Sequence, residues 1–217
     1  GQWSKLLPES TISAWKNAFA TGNYGPYNDY FPQVNWWDEV MSNFGFQQNY
    51  NVNVRGGTER MGYFVSLGML NDGDIYKTEK QSEYDPRFYY KRYNWRTNFD
   101  FKITRTTSLA VNIAGKVGFQ NQPGYRTGDA YFFDEIIKTP QNLFPIKYSD
   151  GVWGADLTGQ SNVVARLNNL GQRQAKSFQG IYDVVFKQNL DFITKGLNFK
   201  ASVSYNTASQ RNTAILK

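Results

Sequence analysis

From residue 46 onward the chain alternates. In QNYNVNVRGGTERMGYFVSLGML (48–70) apolar and polar residues take turns, break at Gly56-Gly57, and take turns again. A period of two means β-strands with one apolar and one polar face. The question such a chain poses is which medium each face meets.

Six strands are predicted, at about 48–55, 61–70, 89–103, 108–120, 178–193 and 197–207. The cleanest is KRYNWRTNFDFKI, in which Tyr93, Trp95, Phe99, Phe101 and Ile103 alternate with Arg92, Asn94, Arg96, Asn98, Asp100 and Lys102. The apolar set continues with Tyr50, Val52 and Val54 in the first strand and Leu109, Val111 and Ile113 in the fourth. Opposite it runs a charged set: Arg55, Arg92, Arg96, Asp100, Lys102, Lys116, Asp183, Lys187 and Lys200. Ahead of the strands, residues 1–45 are predicted to form a loop with short helices. Ile12, Trp15 and Phe19 fall at helical spacing after Glu9-Ser10, and NWWDEVM (35–41) is compatible with one more helical turn.

Other classes are excluded by composition. No run approaches the ~18 apolar residues of a membrane-spanning helix, so a membrane role requires a β-barrel or surface attachment. With no histidine and no cysteine, Ser-His-Asp and Cys-His catalysis, HExxH sites and thiolate metal sites are all ruled out. The net charge of +6 permits an anionic partner, but the basic residues are scattered, and no nucleic-acid surface is expected. The carboxylate pairs Asp38-Glu39, Asp72/Asp74 and Asp150/Asp156 fall in predicted turns and loops, where Asp serves backbone hydrogen bonding. Asp72-Gly73-Asp74 lacks the further spaced ligands of a calcium loop and reads as a turn. No enzyme, cofactor or metal is expected.

Short turns join strands one to two, three to four and five to six, whereas residues 71–88 and 121–177 form long links. All long links therefore leave one end of the sheet. A soluble β-sandwich alternates too, and a carbohydrate-binding sandwich is the competing reading. Strand length favours the membrane: soluble strands run ~5–6 residues, whereas a tilted bilayer crossing takes ~9–11. On the barrel reading the apolar set faces lipid, the charged set faces the interior, and six strands cannot close, since the smallest membrane barrels have ~8. The expected fold is an all-β, antiparallel transmembrane β-barrel segment with long extracellular loops. Trp36, Trp37, Tyr125 and Trp153 in the loop segments are candidates for stacking on substrate, with Tyr131, Phe132 and Phe133 of the same kind.

NWWDEV, QNYNVNVRGGTERMGYFVSLGMLNDGDI, YKRYNWRTNFDFKIT and TKGLNFKASVSYN together resemble the SusC-like (SusC/RagA) TonB-dependent transporters of the Bacteroidota outer membrane. The resemblance implies a barrel of ~22 strands closed by a plug domain and energised through TonB. It also implies a SusD-like surface lipoprotein as partner and oligosaccharides or peptides as cargo. These residues include no plug, TonB-contacting segment or signal peptide, so 46–217 is expected to be an early-to-middle slice of the barrel.

Overall fold

The computed structural model describes residues 8–22, 29, 32–124, 129–155 and 162–217, with 129–131 described in backbone only. In chain order the elements are α1 (Glu9–Thr21), α2 (Trp36–Val40), β1 (Gln47–Gly57), β2 (Met61–Asp72), β3 (Tyr89–Lys102), β4 (Thr107–Pro123), α3 (Asp129–Lys138), α4 (Val163–Asn169), β5 (Gly171–Asn189) and β6 (Asn198–Leu216). The strands form one antiparallel sheet in the order β1-β2-β3-β4-β5-β6. No second sheet opposes it among the described residues.

Strand ends differ from those predicted. β5 begins at Gly171 rather than 178 and stops at Asn189, while β6 runs on to Leu216. The reason is chemical: beyond Phe119 the same-side residues become Asn121, Gln174 and Thr213, so the ladder continues after the apolar signal has ended. Leu190 and Phe192, which continue the alternation, sit in the β5–β6 turn. There Asp191 accepts hydrogen bonds from the backbone of Gly196 (2.7 Å) and from Asn189 Nδ2 (2.8 Å). The other short turns are closed by threonines. Thr58 Oγ1 accepts from the backbone N–H groups of Arg60 and Met61, and Thr104 Oγ1 from those of Thr106 and Thr107.

The chain divides into two units: Gly1–Met41 with Tyr125–Leu170 and Lys217, and Ser42–Gly124 with Gly171–Leu216. The expected division was at 45/46; in this grouping the β4–β5 link goes with the N-terminal segment rather than with the sheet. Burial explains the grouping. Apart from Pro86 and Pro123, the buried apolar side chains described, those of Val34, Trp36, Val40, Met41, Phe132, Ile136, Phe144, Val163 and Leu167 among them, lie in the first unit.

Within the first unit the Trp36 ring meets Phe144 edge-on at 5.3 Å, and its indole N–H donates to the Pro140 carbonyl. Arg166 pairs with Glu135, tying α4 to α3. Asn162 caps α4 by accepting from Ala165 N, while its Nδ2 donates to the carbonyls of Ile146 and Gly154. α1 starts after Pro8 instead of at a Glu9-Ser10 cap, ends on Gly22 in the left-handed conformation, and buries no residue. No described helix is long and apolar enough to cross a membrane, which says nothing of a strand-built crossing.

Candidate functional site

The sheet itself is the candidate site, and its register sorts side chains between two faces without a bulge. One face carries five uncharged rows. They run Met61-Phe101-Leu109-Phe186-Ala201, Tyr63-Phe99-Val111-Val184-Val203, Val65-Thr97-Ile113-Tyr182-Tyr205, Leu67-Trp95-Gly115-Gly180-Thr207 and Met69-Tyr93-Val117-Phe178-Ser209. Val54, Val52 and Tyr50 extend the last three onto β1. All ten residues expected to face lipid fall on these rows.

The face is continuous and aromatic. Trp95 lies 6.2 Å from Phe178, Tyr182 lies 6.1 Å from Tyr205, and Phe99 stacks on Phe101 at 6.1 Å. Trp95 bridges to Phe178 because glycine stands between them: a Cβ on Gly115 would lie 2.3 Å from the indole Cζ2. The band covers nine residues of β3, β4 and β5, namely 93–101, 109–117 and 178–186. At ~3.3 Å per residue and a tilt of about 40°, that is a height of about 23 Å, close to the ~25 Å apolar belt of membrane barrels. Yet Tyr50, Val52, Val54, Leu67 and Val203 are each more than half exposed. Nothing within the described residues covers them.

The opposite face carries all nine charged residues assigned to the interior. Polar side chains bond along and across the strands here. Asn98 Nδ2 donates to Asn112 Oδ1 (2.5 Å), Arg96 Nε donates to Asn98 Oδ1 (3.1 Å), and Ser204 donates to Asp183. Lys102, Ser108, Lys187 and Lys200 share one row near the short turns. Arg92 Nε is buried without a hydrogen-bond partner among the described residues.

Sequence reasoning missed the loop staple. In the β2–β3 link the Asp74 carboxylate accepts from the backbone of Tyr76 (2.6 Å) and Phe88 (2.8 Å) and from the Thr78 hydroxyl (3.0 Å). Burial raises its pKa above the ordinary value, against the pull of these bonds. Asp85, gripped by the Arg87 guanidinium through two bonds, has its pKa lowered. Asn121, 1% exposed, donates to the carbonyls of Asp85 and Arg87, and Gln172 accepts from Asp85 N. The link is thereby clamped to the far ends of β4 and β5, on the side of the apolar face. The only sequence signal was Asn and Gln appearing at apolar-face positions.

The described stacking candidates differ in burial and in their contacts. Trp36 is 2% exposed and is a core residue, held by Phe144 and Pro140, which corrects its assignment as a substrate contact. Trp37 is half-exposed beside Phe133, and Trp153 lies under Lys147 Nζ at 4.2 Å. Tyr125 and Asp156 lie outside the described residues, as does the side chain of Tyr131. Asp38 accepts from Asn35 Nδ2 at the α2 N-terminus, and Asp150 from Val152 N in a turn. Both bonds are local, spanning three and two residues.

A single antiparallel meander with overlong strands, one uninterrupted apolar face and one hydrogen-bonded polar face defines the class by its fold: a six-stranded antiparallel sheet of the kind that forms part of a β-barrel wall. No protein-family model matches the chain, and no curated protein matches its sequence. Solved structures that share its fold include those of the RagAB peptide importer and transporter. The "open-open" importer has a TM-score of 0.64 at 16% identity, covering 98% of this chain. The "closed-closed" importer has 0.62 at 17%, covering 94%, and a further RagAB transporter structure 0.61 at 15%, covering 94%. In each case the chain spans 24% of the matched chain, about a quarter of its length.

Proposed function

We propose that this chain forms part of the wall of a SusC-like, TonB-dependent importer in a bacterial outer membrane, and that it is a transport protein rather than an enzyme. One observation carries the reading. Five rows of uncharged, largely aromatic and β-branched side chains cover one face, at the height of an apolar bilayer belt, and the described residues offer them no protein partner. A bilayer supplies that partner, and the free edges of β1 and β6 then pair with further wall strands, because unpaired backbone is not tolerated in lipid.

On this reading Tyr50, Val52, Val54, Tyr93, Trp95, Phe99, Phe101, Leu109, Val111 and Ile113 face acyl chains. Arg55, Arg92, Arg96, Asp100, Lys102, Lys116, Asp183, Lys187 and Lys200 face an interior filled by a plug, to which the unpaired Arg92 Nε is available as a donor. A SusD-like lipoprotein at the surface and the TonB complex are the partners. The similarity to RagAB favours peptides over oligosaccharides as cargo, and Trp37 and Trp153 are the loop aromatics left for substrate contact.

The test uses the full-length protein refolded into vesicles. Brominated acyl chains are expected to quench a single-Trp95 variant, and unboiled samples to migrate differently from boiled ones on a denaturing gel. Unquenched Trp95 together with identical mobilities would overturn the reading.

A further inference from the structure

The apolar face is free of charge except in one row. Among all strand residues of the six-stranded sheet, the charged side chains on that face are Lys91, Lys176 and Arg211. The register aligns them: Lys91 pairs with Phe119, Phe119 with Lys176, and Lys176 with Arg211. Every other charged strand residue, including the acids Asp72, Asp100 and Asp183, is on the opposite face. All three cations are exposed.

This row ends the apolar band on the long-link side. Its β1 and β2 members are Gln48 and Asn71, joined by a 3.2 Å hydrogen bond, and the rows beyond hold Asn121, Gln174 and Thr213. The matching row at the other end, Thr107-Gln188-Phe199, is uncharged. Lys176 Nζ rides over the Phe119 ring at 5.8 Å and Lys91 Nζ over Tyr89 at 5.3 Å, so both stems cover aromatic surface while presenting the ammonium. Lys176 and Arg211 stand directly opposite each other, an arrangement of like charges that destabilises a sheet unless an anion lies between them. No strand carboxylate on this face supplies one.

We propose that Lys91, Lys176 and Arg211 form a binding row for the phosphate groups of an anionic lipid headgroup in the leaflet on the long-link side. The inference rests on the membrane-wall reading and adds to it a ligand class and a leaflet. Ammonium and guanidinium groups at the level where acyl chains give way to headgroups meet lipid phosphate without being desolvated in hydrocarbon. Guanidinium forks suit phosphate oxygens bidentately, and lysine serves as a point charge.

The test is lipid retention by the full-length protein, purified in neutral detergent and supplied with bisphosphorylated lipid A, read by native mass spectrometry. The K91Q/K176Q/R211Q variant is expected to hold lipid A on the order of a hundredfold more weakly, each basic residue near an anionic surface contributing about fivefold. The polar-face variant K102Q/K187Q/K200Q, with the same change of charge, is expected to match the parent. Equal retention by all three proteins overturns the inference, as does equal loss in both variants. Equal retention of dephosphorylated lipid by the parent, or displacement of lipid A by millimolar inorganic phosphate, overturns it too. Heat-dependent gel mobility and Trp95 quenching in the same samples separate the two levels. With both present and retention unchanged, the row alone is wrong, and with both absent the membrane reading falls and takes the row with it.

Discussion

The Trp95 indole lies flat across Gly115, its register partner on β4, closely enough that a Cβ there would sit 2.3 Å from Cζ2. Gly115 is therefore a shelf whose lack of a side chain lets the largest ring on the sheet reach Phe178. Gly115→Ala has to displace the indole or spread the strands, and overpacking of this kind costs about 1–3 kcal/mol. A urea titration of the full-length protein in lipid vesicles reads the loss. Gly62→Ala is the control, since the nearest atom to its Cβ is Asp100 Cβ at 4.0 Å. Equal midpoints for the two variants would refute the shelf.

Asn121 makes a separate prediction. Its Nδ2 holds two carbonyls of the β2–β3 link, at 2.7 Å and 2.6 Å, from a side chain 1% exposed. Asn121→Ala leaves both acceptors without that donor, and a buried group left unsatisfied costs about 1–3 kcal/mol. The expected outcome is faster amide exchange confined to residues 73–88 with the β3–β4 ladder unchanged. Slowed or unaltered exchange in that link would show that other contacts hold it.

Strand type and the sorting of side chains between two faces were legible because alternation is a local property: Tyr93 to Phe101 announce their side whatever the rest of the chain does. The outer ends of β4, β5 and β6 were not, because past Phe119 both faces turn polar and a period of two has nothing to modulate. For the same reason Lys176 lay outside the predicted fifth strand, and its alignment with Lys91 and Arg211 emerges only from the register. The Trp36–Phe144 contact joins residues distant in sequence. Such a pairing leaves no periodic trace, so an aromatic in a long link reads alike as core or as binding platform.

Acid separates the two aspartates of the β2–β3 link. Asp85 has a folded pKa lowered chiefly by its hydrogen bonds from Arg87, so its stabilisation is complete above the ordinary carboxylate value and is lost as pH falls through the folded one. Asp74 has a pKa raised by burial, so the folded link binds its proton more tightly, and stability is gained as pH falls through that raised value. Amide protection factors in 73–88 are expected to rise on mild acidification and then decline. Asp74→Asn should abolish the rise and Asp85→Asn the decline. A monotonic profile that neither substitution changes would contradict both assignments.

Neighbouring tryptophans of α2 provide the sharpest contrast in the helical unit. Trp36 is 2% exposed, packs edge-on against Phe144 and donates to the Pro140 carbonyl, whereas Trp37 is 49% exposed. Trp36→Ala removes the largest fully buried side chain described, and truncating a buried aromatic costs about 3–5 kcal/mol. Limited proteolysis is expected to cut residues 129–170 rapidly in that variant while leaving the strands of the sheet intact, because Trp36, Phe144 and the residues buried with them belong to this unit. Trp37→Ala, by the same argument, leaves the digestion pattern unchanged, since an exposed ring contributes within about 0.5 kcal/mol. If instead Trp37→Ala opens the unit and Trp36→Ala does not, the core has been assigned to the wrong side of α2, and Trp36 returns as a surface available to substrate.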